Sequence, residues 1–242
     1  HNEIFGALME KAIVTGATGF IGSAFVEYLV NQGIEVLALG RKDLNDVMPF
    51  RRRKLVGATY LRLDMEEISA LPERLSLVAW NPGEDCVFIN LAWGGLTGLS
   101  DMDIEAQIRN VGSAVRALEI ASALSCQKFL QIGTMEEAFT SRYLELDHRE
   151  STAFNRHLIY SVAKIAAKRA ISLRASQIDL DLIYVLHSHV MGPGDDKDSF
   201  LQVTLQKLIN GDELIFSSGD QYFDVISLVD CCKGYYEICM NG

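Results

Sequence analysis

A glycine-rich segment near the N-terminus constrains the fold of this chain more than any other feature. Residues 11–15 form a short apolar run typical of a buried strand, and residues 16–22 read Gly-Ala-Thr-Gly-Phe-Ile-Gly before a stretch of helical periodicity. In this context Gly16 permits a tight turn, Gly19 lets phosphate oxygens reach backbone N–H groups, and Gly22 permits close helix–strand packing. The segment predicts a dinucleotide pyrophosphate at a helix N-terminus; the alternative is a purely structural turn.

Short apolar runs alternate with longer helical stretches along most of the chain. This alternation is typical of parallel strands joined by crossover helices, and strands that are apolar on both faces indicate helices on both sides of the sheet. We therefore predict an α/β fold, a Rossmann-like doubly wound parallel sheet. The predicted strands are Lys11–Thr15, Glu35–Leu39, Thr59–Leu63, Cys86–Leu91, Lys128–Ile132 and Asp181–Leu186, and the predicted helices are Ile21–Asn31, Ile104–Ser125 and Tyr160–Ser176.

The composition changes in the C-terminal part of the chain. We predict a dinucleotide-binding domain over residues 9–190 and a small substrate-binding part over residues 191–242, with segments that return to the main domain. The small part opens on a Gly-Pro-Gly turn and continues with a predicted helix at Phe200–Asn210 and a short strand at Glu213–Phe216. Open parallel sheets bind ligands outside the carboxyl ends of their strands, so we expect the substrate between the two parts.

Charge, hydropathy and cysteine usage exclude several classes of function. The net charge of −10 argues against a nucleic-acid partner, because binding to a polyanion requires an excess of Lys and Arg. No apolar run reaches the roughly 18 residues of a spanning helix, so we expect no membrane partner. The five cysteines form no C-x-x-C pair, which indicates thiols in a reducing cytoplasm. We interpret the basic run at residues 51–54 as a solvated loop, with a cofactor phosphate as the alternative contact, and leave residues 1–8, before Met9, outside the fold.

Residues 15–22 have the T-G-x-x-G-x-x-G spacing of the extended short-chain dehydrogenases/reductases, the NAD-dependent epimerase/dehydratase family, which the chain resembles. Later segments fit in order. Leu63-Asp64-Met65 resembles the acidic segment that contacts adenine, Asn90-Leu91-Ala92 resembles a small-residue motif after the fourth strand, and Asn110 matches the asparagine of an N-V-x-G-T pattern. The resemblance implies a nicotinamide dinucleotide held by Gly16, Thr18, Gly19, Phe20, Ile21, Gly22, Arg41, Asp64, Met65, Leu91, Ala92, Trp93, Asn110, Tyr160 and Lys164.

The end of the second predicted strand bears on the choice of dinucleotide. An acidic residue there bonds the ribose hydroxyls in proteins that select NAD, but this strand ends Leu39-Gly40-Arg41-Lys42. Arg41 can neutralise a 2′-phosphate through its bidentate guanidinium. We therefore favour NADP(H), with NAD(H) as the alternative; an Arg41 that merely points into solvent is the other interpretation.

Tyr160 and Lys164 are the candidate catalytic pair. A spacing of four places both side chains on one helix face, at the start of the predicted helix. An ammonium beside the phenol, like an oxidised nicotinamide, is expected to lower its pKa from about 10. The resemblance implies that Tyr160 is the general acid or base and that Lys164 also bonds the nicotinamide ribose. Thr134, just after the fifth strand, takes the place of the family's serine, although it also suits the cap of a local turn.

Two segments near the candidate pair bear on the reaction type. Glu136 and Glu137 follow Thr134, but Met135 interrupts the adjacent Asp-Glu pair of the family's dehydratases, so reduction or epimerisation is favoured. Leu91-Ala92-Trp93 resembles the deoxysugar 4-ketoreductases. We predict an NAD(P)-dependent nucleotide-sugar oxidoreductase that interconverts a C4 carbonyl and hydroxyl. The alternatives are a 4-epimerase that retains NAD and a non-catalytic NAD(P) sensor.

The resemblance also bears on assembly and on the C-terminal part. Many relatives form dimers through the two long helices, here Ile104–Ser125 and Tyr160–Ser176, so we expect a homodimer. The part that follows Asp230 is shorter than in most members, so it is either minimal or incomplete. His187 and His189 lie two apart on the predicted sixth strand and its continuation, which places them on one face, but a third ligand is not evident and we predict no metal.

Overall fold

Six short apolar segments pair into one parallel sheet in the computed structural model, which describes residues 8–95, 102–150, 153–195, 199–216, 218–220 and 223–242. The strand order is β3-β2-β1-β4-β5-β6. After β3 the chain therefore crosses to the other side of β1, where β4 pairs with β1 in parallel. The predicted fold class is confirmed. The strands are β1 (Lys11–Thr15), β2 (Glu35–Gly40), β3 (Thr59–Arg62), β4 (Cys86–Asn90), β5 (Lys128–Ile132) and β6 (Asp181–Val185).

Helices cover both faces of this sheet. The longest helix, which carries the Tyr-Lys pair, begins before the predicted Tyr160, so the pair lies inside the helix rather than in its first turn. The helices are α1 (Phe20–Asn31), α2 (Pro49–Arg53), α3 (Leu71–Arg74), α4 (Ile104–Ala123), α5 (Thr140–Leu144), α6 (Ala153–Ile178), α7 (Phe200–Asn210) and α8 (Leu228–Asn241).

Successive residues of the central strand contribute to two separate cores. Ala12 and Val14 of β1 pack with α1 and α8, while Ile13 packs on the opposite face with residues of α4 and α6. All three are fully buried. The absence of a polar alternation in this strand therefore follows from burial of both faces, as predicted.

The C-terminal part adds a second, two-stranded parallel sheet of β7 (His189–Met191) and β8 (Val225–Ser227). Helix α7 has the predicted bounds, but the predicted strand at Glu213–Phe216 is wrong. These residues are irregular and Ile215 is 89% exposed, because no described strand lies beside them to accept their backbone hydrogen bonds. Helix α8 returns to the main domain, where Tyr235 packs edge-on against Phe25 of α1 with ring centroids 5.5 Å apart. The division at residue 190 stays a prediction.

Two local interpretations from the sequence are wrong. The basic run forms the short helix α2 rather than a solvated loop: Arg51 donates to the Gly194 carbonyl at 3.0 Å, and Lys54 pairs with Glu27 of α1 at 2.9 Å. His187 and His189 do not share a strand, because β6 ends at Val185 and β7 begins at His189.

The described residues also bear on metals and membranes. They contain no group of three or more His, Cys, Asp or Glu side chains arranged to hold a metal ion. Within the same residues, no helix combines the length and the apolar character that a membrane span requires.

Candidate active site

The loop between β1 and α1 is built from glycines that leave no room for side chains. Gly16 has φ +66°, and a Cβ there would lie 2.9 Å from the Ala92 nitrogen. A Cβ on Gly22 would lie 2.1 Å from the Gly16 carbonyl oxygen, so Gly22 packs the helix against the loop itself rather than against the strand. Gly19 is the N-cap of α1 and supplies no side-chain cap, which leaves first-turn N–H groups for an anion. Phosphate oxygens of a dinucleotide fit this backbone.

A chain of buried polar side chains joins the two halves of the sheet where the strand order reverses. The Thr15 hydroxyl donates to Asn90 Oδ1 at 2.6 Å, and Asn90 Nδ2 donates to Gln131 Oε1 at 2.8 Å. Thr15 Oγ1 also accepts from the Ala92 backbone N–H at 3.1 Å. These bonds fix the start of the loop after β4. Polar residues at the ends of otherwise apolar strands are the sequence signal that identifies such a network.

The loop after β4 is held against α4. Gly94 donates from its backbone nitrogen to Asn110 Oδ1 at 2.9 Å, and Asn110 Nδ2 donates back to the Gly94 carbonyl at 2.8 Å. Asn110, predicted as a cofactor contact, therefore anchors a loop. One turn earlier, the buried Gln107 accepts from the Trp93 indole nitrogen at 2.8 Å. Gln107 was not identified from the sequence, because nothing local marks it as the partner of a residue fourteen positions away.

The three predicted catalytic residues come together at the carboxyl ends of β4 and β5. The Thr134 side chain is close enough to the Tyr160 phenol to favour its ionisation, and Lys164 Nζ lies 5.7 Å from the centroid of the Tyr160 ring. Lys164 is 5% exposed, and its Nζ donates to the Ile132 carbonyl at 3.1 Å. Their individual roles stay predictions, but the geometry places a phenol, a hydroxyl and an amine close together.

Burial sets the ionisation of the Tyr-Lys pair. It raises the pKa of Tyr160 to about 12, against the effect of the Thr134 hydrogen bond and with a further contribution from the Glu136 and Glu137 carboxylates. It lowers the pKa of Lys164 to about 7, with Glu137 opposing that shift. In the chain alone, burial therefore raises the phenol pKa that we expected a neighbouring ammonium and an oxidised nicotinamide to lower.

Thr134 acts as a turn cap as well as a partner of Tyr160. Its hydroxyl accepts from the Glu136 backbone N–H at 3.3 Å, at the start of a 3-10 helix over Met135–Phe139. Glu137 closes the same turn by accepting from the Thr134 backbone N–H at 3.0 Å, and its carboxylate also accepts from the Tyr184 hydroxyl at 2.7 Å. The two roles considered for Thr134 are thus compatible, and the cap orients its hydroxyl.

Glu136 lies near Thr134 in a buried polar cluster with Tyr143 and His157. Its carboxylate is hydrogen-bonded by the Tyr143 hydroxyl and lies 3.4 Å from His157 Nδ1. Burial opposes its ionisation, but the hydrogen bonds from His157 and Tyr143 outweigh burial and lower the pKa of Glu136. Glu136 and Glu137 both point into the protein although Met135 separates them from Thr134. Each of the two carboxylates is already bonded to neighbouring side chains.

A cleft lies at the carboxyl ends of β2 and β3. It has a volume of about 350 Å³, and the exposed Arg41 forms no ion pair with a described residue. A Cβ on Gly40 would lie 2.6 Å from the Tyr60 hydroxyl and 2.8 Å from Thr18 Cγ2, so this position has no space for an acidic side chain. Asp64 also lines the cleft and caps the following 3-10 helix. The lining residues are Arg41, Arg62, Leu63, Asp64, Glu67 and Arg74.

The remaining predicted cofactor residues flank these features. Ala92 and Leu91 are half-buried beside the glycine loop, while Phe20 and Ile21 are half-buried in the first turn of α1. Met65 is partly buried and packs against the core. These positions lie directly after β1, β3 and β4, at the carboxyl ends of the strands, and their contacts with a cofactor stay predictions.

Known proteins resemble this chain over most of its length. It is 29% identical to dTDP-6-deoxy-L-talose 4-dehydrogenase (NAD(P)(+)) of Kitasatospora kifunensis over 82% of this chain, but the match spans only 58% of that relative. It is 26% identical to CDP-abequose synthase of Salmonella typhimurium over 97% of this chain and 71% of that protein.

A solved structure with a similar fold is UDP-glucose 4-epimerase of Thermus thermophilus in complex with NAD. Its TM-score is 0.70 at 18% identity, and the match covers 96% of this chain and 75% of that one. The model of the NAD dependent epimerase/dehydratase family matches residues 12–241. With the glycine loop, the sheet order and the Tyr-Lys pair all in place, this chain belongs to the NAD-dependent epimerase/dehydratase family of extended short-chain dehydrogenase/reductase enzymes.

Proposed function

We propose that this chain is an NAD(P)-dependent nucleotide-sugar oxidoreductase that interconverts a sugar C4 carbonyl and hydroxyl, with reduction as the favoured direction. The observation that carries the proposal is the cluster of Thr134, Tyr160 and Lys164 at the carboxyl ends of the strands. The Kitasatospora relative is named as a 4-dehydrogenase of a nucleotide sugar, which supports both the substrate class and the position of the reacting carbon.

The ionisation of the pair suits reduction. A bound nicotinamide dinucleotide supplies the hydride in this chemistry, and the glycine loop with the N-terminus of α1 would hold its phosphates. Tyr160 donates its phenolic proton to the substrate oxygen as that oxygen gains charge, and its raised pKa keeps the phenol protonated until then. The capped Thr134 hydroxyl orients the same oxygen beside Tyr160. Lys164 supplies a cationic group next to the phenol when it is protonated.

Removal of the Tyr160 hydroxyl tests this assignment. A panel of nucleotide sugars, screened with NADPH and NADH by thermal shift, first identifies the substrate, because a ligand that binds the native state raises the melting temperature. Tyr160→Phe should then lower kcat by roughly 10²–10⁴-fold with little change in dinucleotide affinity. Unchanged turnover in this variant contradicts the enzyme assignment and favours the sensor. Dinucleotide that stays bound through purification favours the 4-epimerase.

We further propose that NADP(H) is the preferred dinucleotide. The side chains of Tyr60 and Thr18 occupy the space next to Gly40, so the acidic side chain that selects NAD has no room there. Arg41 lies next to it, exposed and without an ion-pair partner among the described residues. Arg41→Ala should weaken NADPH binding about tenfold and leave NADH binding nearly unchanged, as measured by fluorescence titration. Equal losses for both dinucleotides contradict the preference.

We also propose a homodimer in a reducing, cytoplasmic location. The packed helices α4 and α6 expose apolar side chains, among them Ile108 at 64% and Leu173 at 65%. All five cysteines are buried thiols, which suits a reducing compartment. In sedimentation experiments the Ile108→Glu variant should be monomeric while the unmodified chain is a dimer. A monomeric unmodified chain contradicts the proposed assembly.

A further inference from the structure

The orientation of the Trp93 indole is fixed from its polar edge. Its nitrogen donates to Gln107 Oε1 at 2.8 Å, and Gln107 is only 1% exposed, so water does not compete for this amide. The next residue, Gly94, is held by two hydrogen bonds from Asn110. Side chains from successive turns of α4 therefore restrain both the backbone after Trp93 and the plane of its ring.

The restrained indole contacts both members of the Tyr-Lys pair. Lys164 Nζ lies 3.9 Å from the centroid of the Trp93 ring, and the Tyr160 ring meets that indole edge-on with centroids 6.1 Å apart at 85°. Lys164 forms no ion pair with a described residue. The lysine side chain is long and flexible. Its buried amine is held in one position by the indole face and by the hydrogen bond to the Ile132 carbonyl.

We propose that Trp93 and Gln107 are positioning residues for Lys164, an inference that rests on the proposed function of the Tyr-Lys pair. The face of an indole attracts a cation, and the attraction is stronger where water is excluded. Gln107 orients the indole, and the indole keeps the amine of Lys164 beside Tyr160. Lys164 is then ordered before a dinucleotide binds, so binding does not carry the entropic penalty of ordering it.

Nuclear magnetic resonance of ¹³C-labelled lysine tests this placement without a substrate. Methylene groups over an aromatic face resonate upfield, and the Lys164 signal is identified by its loss in Lys164→Arg. We expect an upfield Lys164 ε-methylene that returns to the ordinary lysine position in Trp93→Leu and moves partway in Gln107→Met. Lys168, whose Nζ lies 4.7 Å from the Tyr184 ring centroid, is the internal control and should keep its position in both variants.

A second pair of variants separates positioning from simple stabilisation of α4. Gln107→Glu keeps an acceptor for the indole N–H and should keep the upfield Lys164 signal. Trp93→Phe keeps an aromatic face and should retain part of the shift, which tests the indole even if Gln107→Met does not fold. A Gln107→Met protein with a lowered melting temperature but an unmoved Lys164 signal overturns the role of Gln107. A Lys164 signal at the ordinary position in the unmodified protein overturns the whole inference.

Titration with NADPH distinguishes this inference from the proposed function. Movement of an upfield Lys164 signal on addition of NADPH supports both. An upfield signal that saturating NADPH leaves unmoved supports the placement of Lys164 and contradicts the proposed role of the pair at the dinucleotide. NADPH binding to a protein whose Lys164 signal is ordinary supports the proposed function and overturns the positioning role.

Discussion

The two halves of the sheet prepare the site in different ways. The half formed by β1–β3 contributes backbone: Gly16, Gly22 and Gly40 each occupy a position where a Cβ would approach another atom within 3.0 Å. The half formed by β4–β6, with α4 and α6 above it, contributes buried side chains such as Asn90 and Lys164. These glycines thus act through shape and do not titrate, whereas the buried side chains of the second half depend on hydrogen bonds, burial and protonation.

This difference implies that the two halves fail for different reasons. A substitution in the glycine loop acts through steric overlap and is independent of pH. A substitution among the buried polar groups leaves partners unsatisfied or removes a titrating group, so its effect is smaller and, for ionisable residues, depends on pH. Three substitutions test the contrast, in order of decreasing effect.

The largest effect is expected from Gly22→Val. A side chain there would meet the backbone oxygen of Gly16, which has no flexible end to move aside, so we expect about 3 kcal/mol of destabilisation together with loss of NADPH binding. Urea unfolding measures the first and thermal shift the second. Gly234→Ala is the matched control: its Cβ meets nothing within 4 Å inside α8, so it should stabilise by about 0.5–1 kcal/mol. A Gly22→Val protein as stable as the unmodified chain would refute the shape argument.

An intermediate effect is expected where the two halves meet. Asn90→Leu removes the amide between Thr15 and Gln131 and leaves both buried groups without that partner, which should destabilise by about 2 kcal/mol in urea unfolding. Asn241→Leu, at an exposed asparagine near the end of α8, is the control and should change stability by less than about 0.5 kcal/mol. Equal effects at the two sites would mean that the polar chain does not join the halves.

The smallest effect, for a change of one pH unit, is expected from the pH dependence of Lys164. Its pKa is lowered from the ordinary 10.5 to about 7, so between these values the unfolded chain binds more protons and the contribution of Lys164 to stability rises with pH. Relative to Lys164→Met, the unmodified chain should gain about 1 kcal/mol per pH unit in that window. Urea unfolding at several pH values measures this slope. Lys168→Met, on the same helix but partly exposed, is the control, and an equal slope there would contradict an origin in burial.

Local sequence patterns predicted most of the sheet and failed where the partner is distant. The strands β1 and β5 and the helix α7 have the predicted bounds, because apolar runs and flanking turn residues are local features. The strand predicted at Glu213–Phe216 fails because a strand requires a neighbour to accept its hydrogen bonds. Helix α6 begins at Ala153 and not at the predicted Tyr160, although Ser151 and Thr152 are residue types that commonly precede a helix.

The sequence by itself determined the glycine loop, the parallel sheet and the residue types of the Tyr-Lys pair, because each depends on spacing within a few residues. Only the tertiary structure decided that Gln107 orients Trp93, that the indole lies over Lys164, and that the pKa of Tyr160 is raised. Those outcomes depend on which side chains exclude water from a shared space, and that is a property of packed elements rather than of any single segment.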